Sequence, residues 1–164
     1  MTIWDNIYKN YQKGGEAWAT LSEDIHPLFK EFLEQEKFLQ KRAFDIGCGT
    51  GKYLVFLKEY GFETDGIDSS ETAVEMTKQL LGQSADVKCV NIFEYDIPPK
   101  TYDLIISVAT IHHGTKAQVQ DLINNIYEAL VADGKIFITL PDMESSKKWN
   151  TFREHKEVAP GTFE

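Results

Sequence analysis

The sequence predicts a doubly wound α/β domain, a mostly parallel sheet with helices on both faces. Two observations carry that prediction. From Lys41 onward, short apolar runs of strand length alternate with stretches in which apolar residues recur at helical spacing, the pattern of right-handed crossovers between parallel strands. The first of those runs leads into a glycine-rich turn, "FDIGCGTGK" from Phe44 to Lys52, at the strand end where such sheets bind ligands.

The elements follow in order. Ile3, Trp4, Ile7, Tyr8 and Tyr11 mark an amphipathic helix over 3–12, stopped by Gly14 and Gly15. Ile25, Leu28, Phe29, Phe32 and Leu33 form the stripe of a second helix from about Ser22 to Glu36, with Pro27 in its first turn. "RAFDIG" reads as a buried strand, "GKYLVFLKEYG" as a helix closed by Gly61, and "FETDGID" as the second strand. "SSETAVEMTKQLLG" is a helix capped by Ser69 or Ser70 and stopped at Gly82. "DVKCVNI" and the very apolar "YDLIISVA" are strands three and four; "KAQVQDLINNIYEALVADG" is a helix and "KIFITLP" the fifth strand. Residues 1–38 form a helical cap, and 39–164 the ligand-binding domain.

Composition narrows the class. The 164 residues suffice for one hydrophobic core, with 42% hydrophobic and 12% aromatic residues and no apolar run of membrane-spanning length. The start of the chain lacks a basic region followed by an apolar one, so a cytoplasmic protein is expected. Cys48 and Cys89 have no neighbouring ligands at metal spacing and read as reduced thiols, and no metal is expected. A net charge of -9 argues against a nucleic-acid or membrane-surface binder.

The turn excludes two common ligands. A P-loop needs four residues before its Gly-Lys pair and then Ser or Thr, but only Cys48, Gly49 and Thr50 separate Gly47 from Gly51, and Tyr53 follows Lys52. A dinucleotide fingerprint needs its third glycine where Lys52 stands. Asp45, two residues before the first glycine, is expected near the mouth of the site, where a carboxylate disfavours a pyrophosphate. A phosphate-free nucleoside carrying positive charge suits that acid, and S-adenosylmethionine, with its sulfonium and ammonium, is such a ligand.

"DIGCGTG" resembles motif I of the class I S-adenosylmethionine-dependent methyltransferases, an acid, a hydrophobic residue and GxGxG ending strand one. The resemblance covers about residues 40–141. It implies the Rossmann-like methyltransferase fold, with Asp45, Gly47, Cys48, Gly49 and Gly51 at the cofactor. Asp68, twenty-one residues after Gly47, falls where the family's acid accepts hydrogen bonds from both ribose hydroxyls, followed by polar Ser69. Asn91 falls where a polar residue reads the adenine amine, with Ile92 covering the base, and Ser107 belongs to the strand-four signature. "YKNYQKGGEAWA" is similar to the segment that folds over the cofactor in relatives, which makes Tyr11 and Trp18 candidates to close the site.

Methyl transfer from a sulfonium needs alignment and exclusion of water more than a covalent nucleophile. A general base is required when the acceptor arrives protonated, and His112 and His113, in "SVATIHHG" after strand four, are the candidates. Neighbouring side chains diverge on a helical turn, so the two are not expected to act as a metal pair. The expected reaction is methyl transfer to a small-molecule acceptor, releasing S-adenosylhomocysteine. A tRNA acceptor and a non-catalytic S-adenosylmethionine-binding subunit are the alternatives. Relatives finish the sheet with an antiparallel hairpin, which this chain is expected to lack. An uncovered sheet edge and self-association through it would follow.

Overall fold

The computed structural model describes residues 2–15, 24–82 and 86–140, and the backbone of two short strands at 157–159 and 162–163. Five strands form one parallel sheet in the order β3-β2-β1-β4-β5: β1 Arg42–Ile46, β2 Glu63–Asp68, β3 Asp86–Cys89, β4 Tyr102–Val108 and β5 Leu130–Thr139. β1 is central, flanked by β2 and β4, and the strand order reverses between β1 and β4. The expected doubly wound fold is present.

The helices are α1 Ile3–Gln12, α2 Pro27–Gln35, α3 Lys52–Glu59, α4 Glu71–Leu81 and α5 Lys116–Ala129. Two buried clusters show how they layer. On one face Phe44, Ile46, Ile67 and Ile105 pack with Leu122 and Ile126 of α5. On the other, Ala43, Leu104 and Ile106 pack with Phe29 and Leu33 of α2 and with Tyr53 and Leu57 of α3. Alternate residues of β1 and β4 thus enter opposite cores, as a strand buried on both sides requires. α2 is a core helix, with Phe29 fully buried against Phe137 of β5. α1 packs on α4 through Tyr8 and Ala73.

Capping sets the helix starts. Ser70 caps α4 by accepting from the Ala73 N–H, and Thr115 and Gln118 form a reciprocal capping box at α5. Asp103 fixes the entry to β1 from beneath: its buried carboxylate accepts from the N–H groups of Leu39, Gln40 and Arg42.

The chain departs from expectation at three places. The second helix starts at Pro27, with His26 as its cap, and Ser22 lies outside the described residues. The fifth helix ends at Ala129, because Leu130 already pairs with Tyr102; a bulge with Asp133 in the left-handed region then separates that pair from Leu104 and Lys135. Finally, an antiparallel pair does form near the end, β6 Glu157–Ala159 with β7 Thr162–Phe163, but it does not join the sheet. β5 is the last strand of the sheet and partly exposed along its length. Among the described residues no helix is long and apolar enough to cross a membrane.

Candidate active site

The carboxyl ends of β1, β2 and β4 converge at the strand-order reversal, and the glycine turn leaves β1 there. Gly47 and Cys48 donate their N–H groups to the Ile67 carbonyl, which ties the turn to β2. Gly47 has a φ of 79°, and a Cβ on it would lie 2.3 Å from the Thr110 methyl, so backbone occupies space no side chain could share. Gly47→Ala is therefore expected to cost about 2 kcal/mol or more and to lower the unfolding midpoint by roughly 5 °C. Gly61→Ala has a similar φ but meets only the flexible end of Lys41, and should lower it less in the same thermal scan.

Asp68 ends β2 and is 7% exposed. One carboxylate oxygen accepts from the Ser70 N–H at 2.8 Å and the other from the Gly49 N–H at 2.9 Å. The Ser69 N–H also favours its charged form. The acid thereby joins the glycine turn to the start of α4.

Asp45 is a correction. It is not at a mouth: on the central strand it points inward, only 2% exposed. Burial, and then the charge of Asp68, push its carboxyl up to about 8. The same physics acts on its neighbours. Burial raises Cys48, with Asp45 and Asp68 adding to it, and burial raises Tyr8, with Asp68, Cys48 and Asp45 adding. Burial also raises Asp68, opposed by the N–H groups it holds. Burial thus suppresses the ionisation of four acids around one glycine turn, with Asp68 adding to the shift of the other three, and positive charge placed among them would favour their charged forms.

After β4, Ala109 adopts a φ of 53°, unusual for a residue with a Cβ, and is held by its N–H donating to the Thr139 carbonyl and hydroxyl. The chain then enters a 3₁₀ turn, Ile111–His113, that presents both histidines to solvent. Their rings do not diverge: the centroids lie 3.9 Å apart, and the Trp4 ring meets His113 edge-on at 4.6 Å. Desolvation lowers both imidazoles, and His112 lowers His113 further. Both are neutral near pH 7 and can accept a proton. The tip of the Phe93 ring meets Gly114, where a Cβ would lie 2.3 Å from its Cζ.

Comparison with known proteins accounts for this arrangement. A family model described as "Methyltransferase domain" matches residues 43–134, more than half the chain. The chain belongs to the class I S-adenosylmethionine-dependent methyltransferases. It is 30% identical over 144 residues to the human "Probable tRNA methyltransferase 9B", covering 87% of this chain and 30% of that one. It is 29% identical over 126 residues to an "Uncharacterized methyltransferase" of Staphylococcus carnosus, covering 76% of this chain and 59% of the relative. The chain thus spans about a third to three-fifths of these relatives. Among solved structures, a Haemonchus contortus phosphoethanolamine N-methyltransferase in complex with phosphoethanolamine and S-adenosylhomocysteine superimposes with a TM-score of 0.71 at 18% identity, over 98% of this chain and 36% of that one. A Pyrococcus horikoshii protein superimposes at 0.70, also at 18% identity, over 91% and 66%. These two establish the fold.

The remaining site residues of this methyltransferase sort by where the fold puts them. Asp45, Gly47, Cys48, Gly49, Gly51 and Asp68 come together, with Ser69 beside them at the start of α4. Asn91 follows β3, but its amide serves its own turn: the oxygen accepts from the Phe93 N–H and the nitrogen donates to Glu94. One lone pair of that oxygen remains for an adenine amine. Ile92 is buried beside it. Ser107 is fully buried and donates its hydroxyl to the Ile46 carbonyl, so it braces β4 against β1 and does not face a ligand. Tyr11 is half-buried beside Tyr8, and Trp18 lies outside the described residues. Lys52 donates to the Asp24 carbonyl.

Sequence reasoning missed Trp4, Asp5, Tyr8 and Thr110. Their one visible signal was spacing, since Trp4 and Tyr8 at i and i+4 share a face of α1.

Proposed function

We propose that this methyltransferase transfers a methyl group from S-adenosylmethionine to a small-molecule acceptor. The observation that carries the cofactor half is the pair of buried carboxylates, Asp45 and Asp68, beside the glycine turn, which suits a cationic nucleoside without phosphates. The residues fit that group: a positive-φ glycine turn without side chains, the Asp68 carboxylate beside it for the ribose diol, and Ile92 and Asn91 for the adenine end. When bound, the cofactor supplies an electrophilic methyl on a positively charged sulfur.

The chain's own work is placement and proton removal. Asp68 orients the nucleoside, Asp45 supplies negative charge inside the turn, and the neutral imidazole of His112 or His113 takes the acceptor's proton. A small acceptor agrees with the net charge of -9. A tRNA acceptor is the second reading, favoured by the 87% coverage of this chain by the human tRNA methyltransferase relative.

The test incubates methyl-labelled cofactor with the protein and, separately, a metabolite extract and bulk tRNA, and resolves products by mass spectrometry. Labelled metabolite supports the first reading and labelled tRNA the second. Label in neither pool contradicts both, and favours a non-catalytic cofactor-binding subunit.

A further inference from the structure

The two histidines sit in a turn whose path is set by one strained residue. Among the described residues four that are not glycine have a positive φ: Lys41, Lys100, Ala109 and Asp133. Ala109, at 53°, is the one of these whose side chain has no polar group to bond locally and favour that conformation. Its left-handed backbone therefore has to be held from outside. Thr139, the last residue of β5, stands opposite Val108 in the β4–β5 ladder. Its carbonyl and its hydroxyl both accept from the Ala109 N–H, at 3.1 and 3.0 Å. The carbonyl contact extends the ladder, and any residue at 139 would supply it. The hydroxyl contact depends on the side chain.

Contacts after Ala109 carry its conformation to the histidines. The Thr110 hydroxyl donates back to the Val108 carbonyl at 3.1 Å, bridging Ala109, and the Thr110 side chain fills the space beside Gly47. Ile111 then enters the core, and the His113 N–H donates to the Thr110 carbonyl at 3.2 Å. His112 and His113 follow with their rings 3.9 Å apart and Trp4 edge-on to the second. An ordinary extended or helical Ala109 would send Thr110 away from Gly47 and carry both imidazoles with it.

We propose that Thr139 is a positioning residue for methyl transfer: its hydroxyl, acting through Ala109, holds the turn that presents His112 and His113 to the acceptor. The proposal rests on the reading that one of these imidazoles takes the acceptor's proton. A base must lie within hydrogen-bond reach of the proton it removes, so a turn that leaves this path slows the reaction without changing the imidazole itself.

The test compares Thr139→Val, which keeps the shape of the side chain and removes its hydroxyl, with Thr139→Ser, which keeps the hydroxyl. Amide exchange at Ala109 and His113, and relaxation dispersion of the His113 ring assigned with His113→Gln, read how often the turn leaves its path. In Thr139→Val both amides should exchange faster together, by about three- to tenfold, the factor that one neutral hydrogen bond is worth. The minor state seen at the His113 ring should grow by the same factor, and Thr139→Ser should match wild type. Adding Ala109→Gly, which takes a positive φ without strain, to Thr139→Val should return His113 to wild-type behaviour. Faster exchange at Ala109 with His113 unmoved would show that Thr139 only closes the ladder and overturn the proposal. So would a Thr139→Val protein unchanged at both, or a Thr139→Ser protein that behaves as Thr139→Val does. Label transfer from S-adenosylmethionine, in whichever pool accepts it, should be slower in Thr139→Val by about twofold or more and restored in Thr139→Ser; equal rates would remove the catalytic part of the role. Label transfer undiminished in both His112→Gln and His113→Gln would remove the base reading instead, while exchange at His113 still decides whether Thr139 places the turn.

Discussion

Asp68→Asn is expected to weaken S-adenosylhomocysteine binding about a hundredfold or more, because two charge-assisted hydrogen bonds to a diol are lost or reversed. The structure adds a second consequence. Asp68 also accepts from the Gly49 and Ser70 N–H groups, and an amide can accept from only one of them through its oxygen. The variant should therefore unfold earlier as well, by about 1–3 kcal/mol, the cost of one buried donor left without an acceptor. Titration calorimetry well below the unfolding midpoint separates the two effects. Binding within threefold of wild type would remove Asp68 from the cofactor site.

Asp45→Asn should raise the stability of the ligand-free protein and flatten its pH dependence. The folded chain holds the Asp45 proton with a pKa of about 8, against 3.8 as the ordinary value. Between those values the folded state binds more protons than the unfolded chain, so stability is greatest at the acid end of the window and is lost as pH rises toward 8. Asp68, also raised, adds in the same direction. His112 and His113 are lowered, so below about pH 6.5 they act oppositely. The window from pH 6.5 to 8 therefore isolates the carboxyls. There the wild-type unfolding midpoint should fall by roughly 4 °C, corresponding to about 1–2 kcal/mol. Asp45→Asn should remove most of that slope. Binding of the cationic cofactor has the opposite dependence: it draws the proton from Asp45, so affinity should rise with pH up to about 8, by at most about tenfold per unit. A variant with the wild-type slope would show that Asp45 is not the group titrating.

These acids also show how far the sequence could be read. Asp68 was legible because its place is fixed by covalent spacing: a strand, a tight turn and a helix of ordinary length return the chain to β2 beside the glycine turn. The burial of Asp45 was not, because a motif fixes neighbours along the chain while burial depends on what packs across it. Both flanks of β1 are covered by β2 and β4, and helices pack on both of its faces. Helix starts were legible where a side chain caps its own helix, as Ser70 does. The Asp5 contact with α4 was illegible, since the capping residue comes from 65 residues earlier in the chain. The helix expected to run on to Gly134 had already ended at Ala129, and the glycine belongs to the bulge in β5. Trp4 and Tyr8 read as packing residues, which they are, against His113 and Ala73.

The histidine turn is the other place where tertiary structure changed the reading. Adjacent positions suggested that the two imidazoles would diverge. In the 3₁₀ turn after β4 both rings lie together, and Trp4 meets His113 edge-on.

The central claim is that the glycine turn and its buried acids hold a cationic nucleoside without phosphates. Titration calorimetry of the unmodified protein with S-adenosylmethionine, S-adenosylhomocysteine and NAD in parallel tests it most directly. Binding of the first two with dissociation constants between about 1 μM and 1 mM, and no heat from NAD, is the predicted result. NAD binding as tightly as either, or silence from all three, would contradict it.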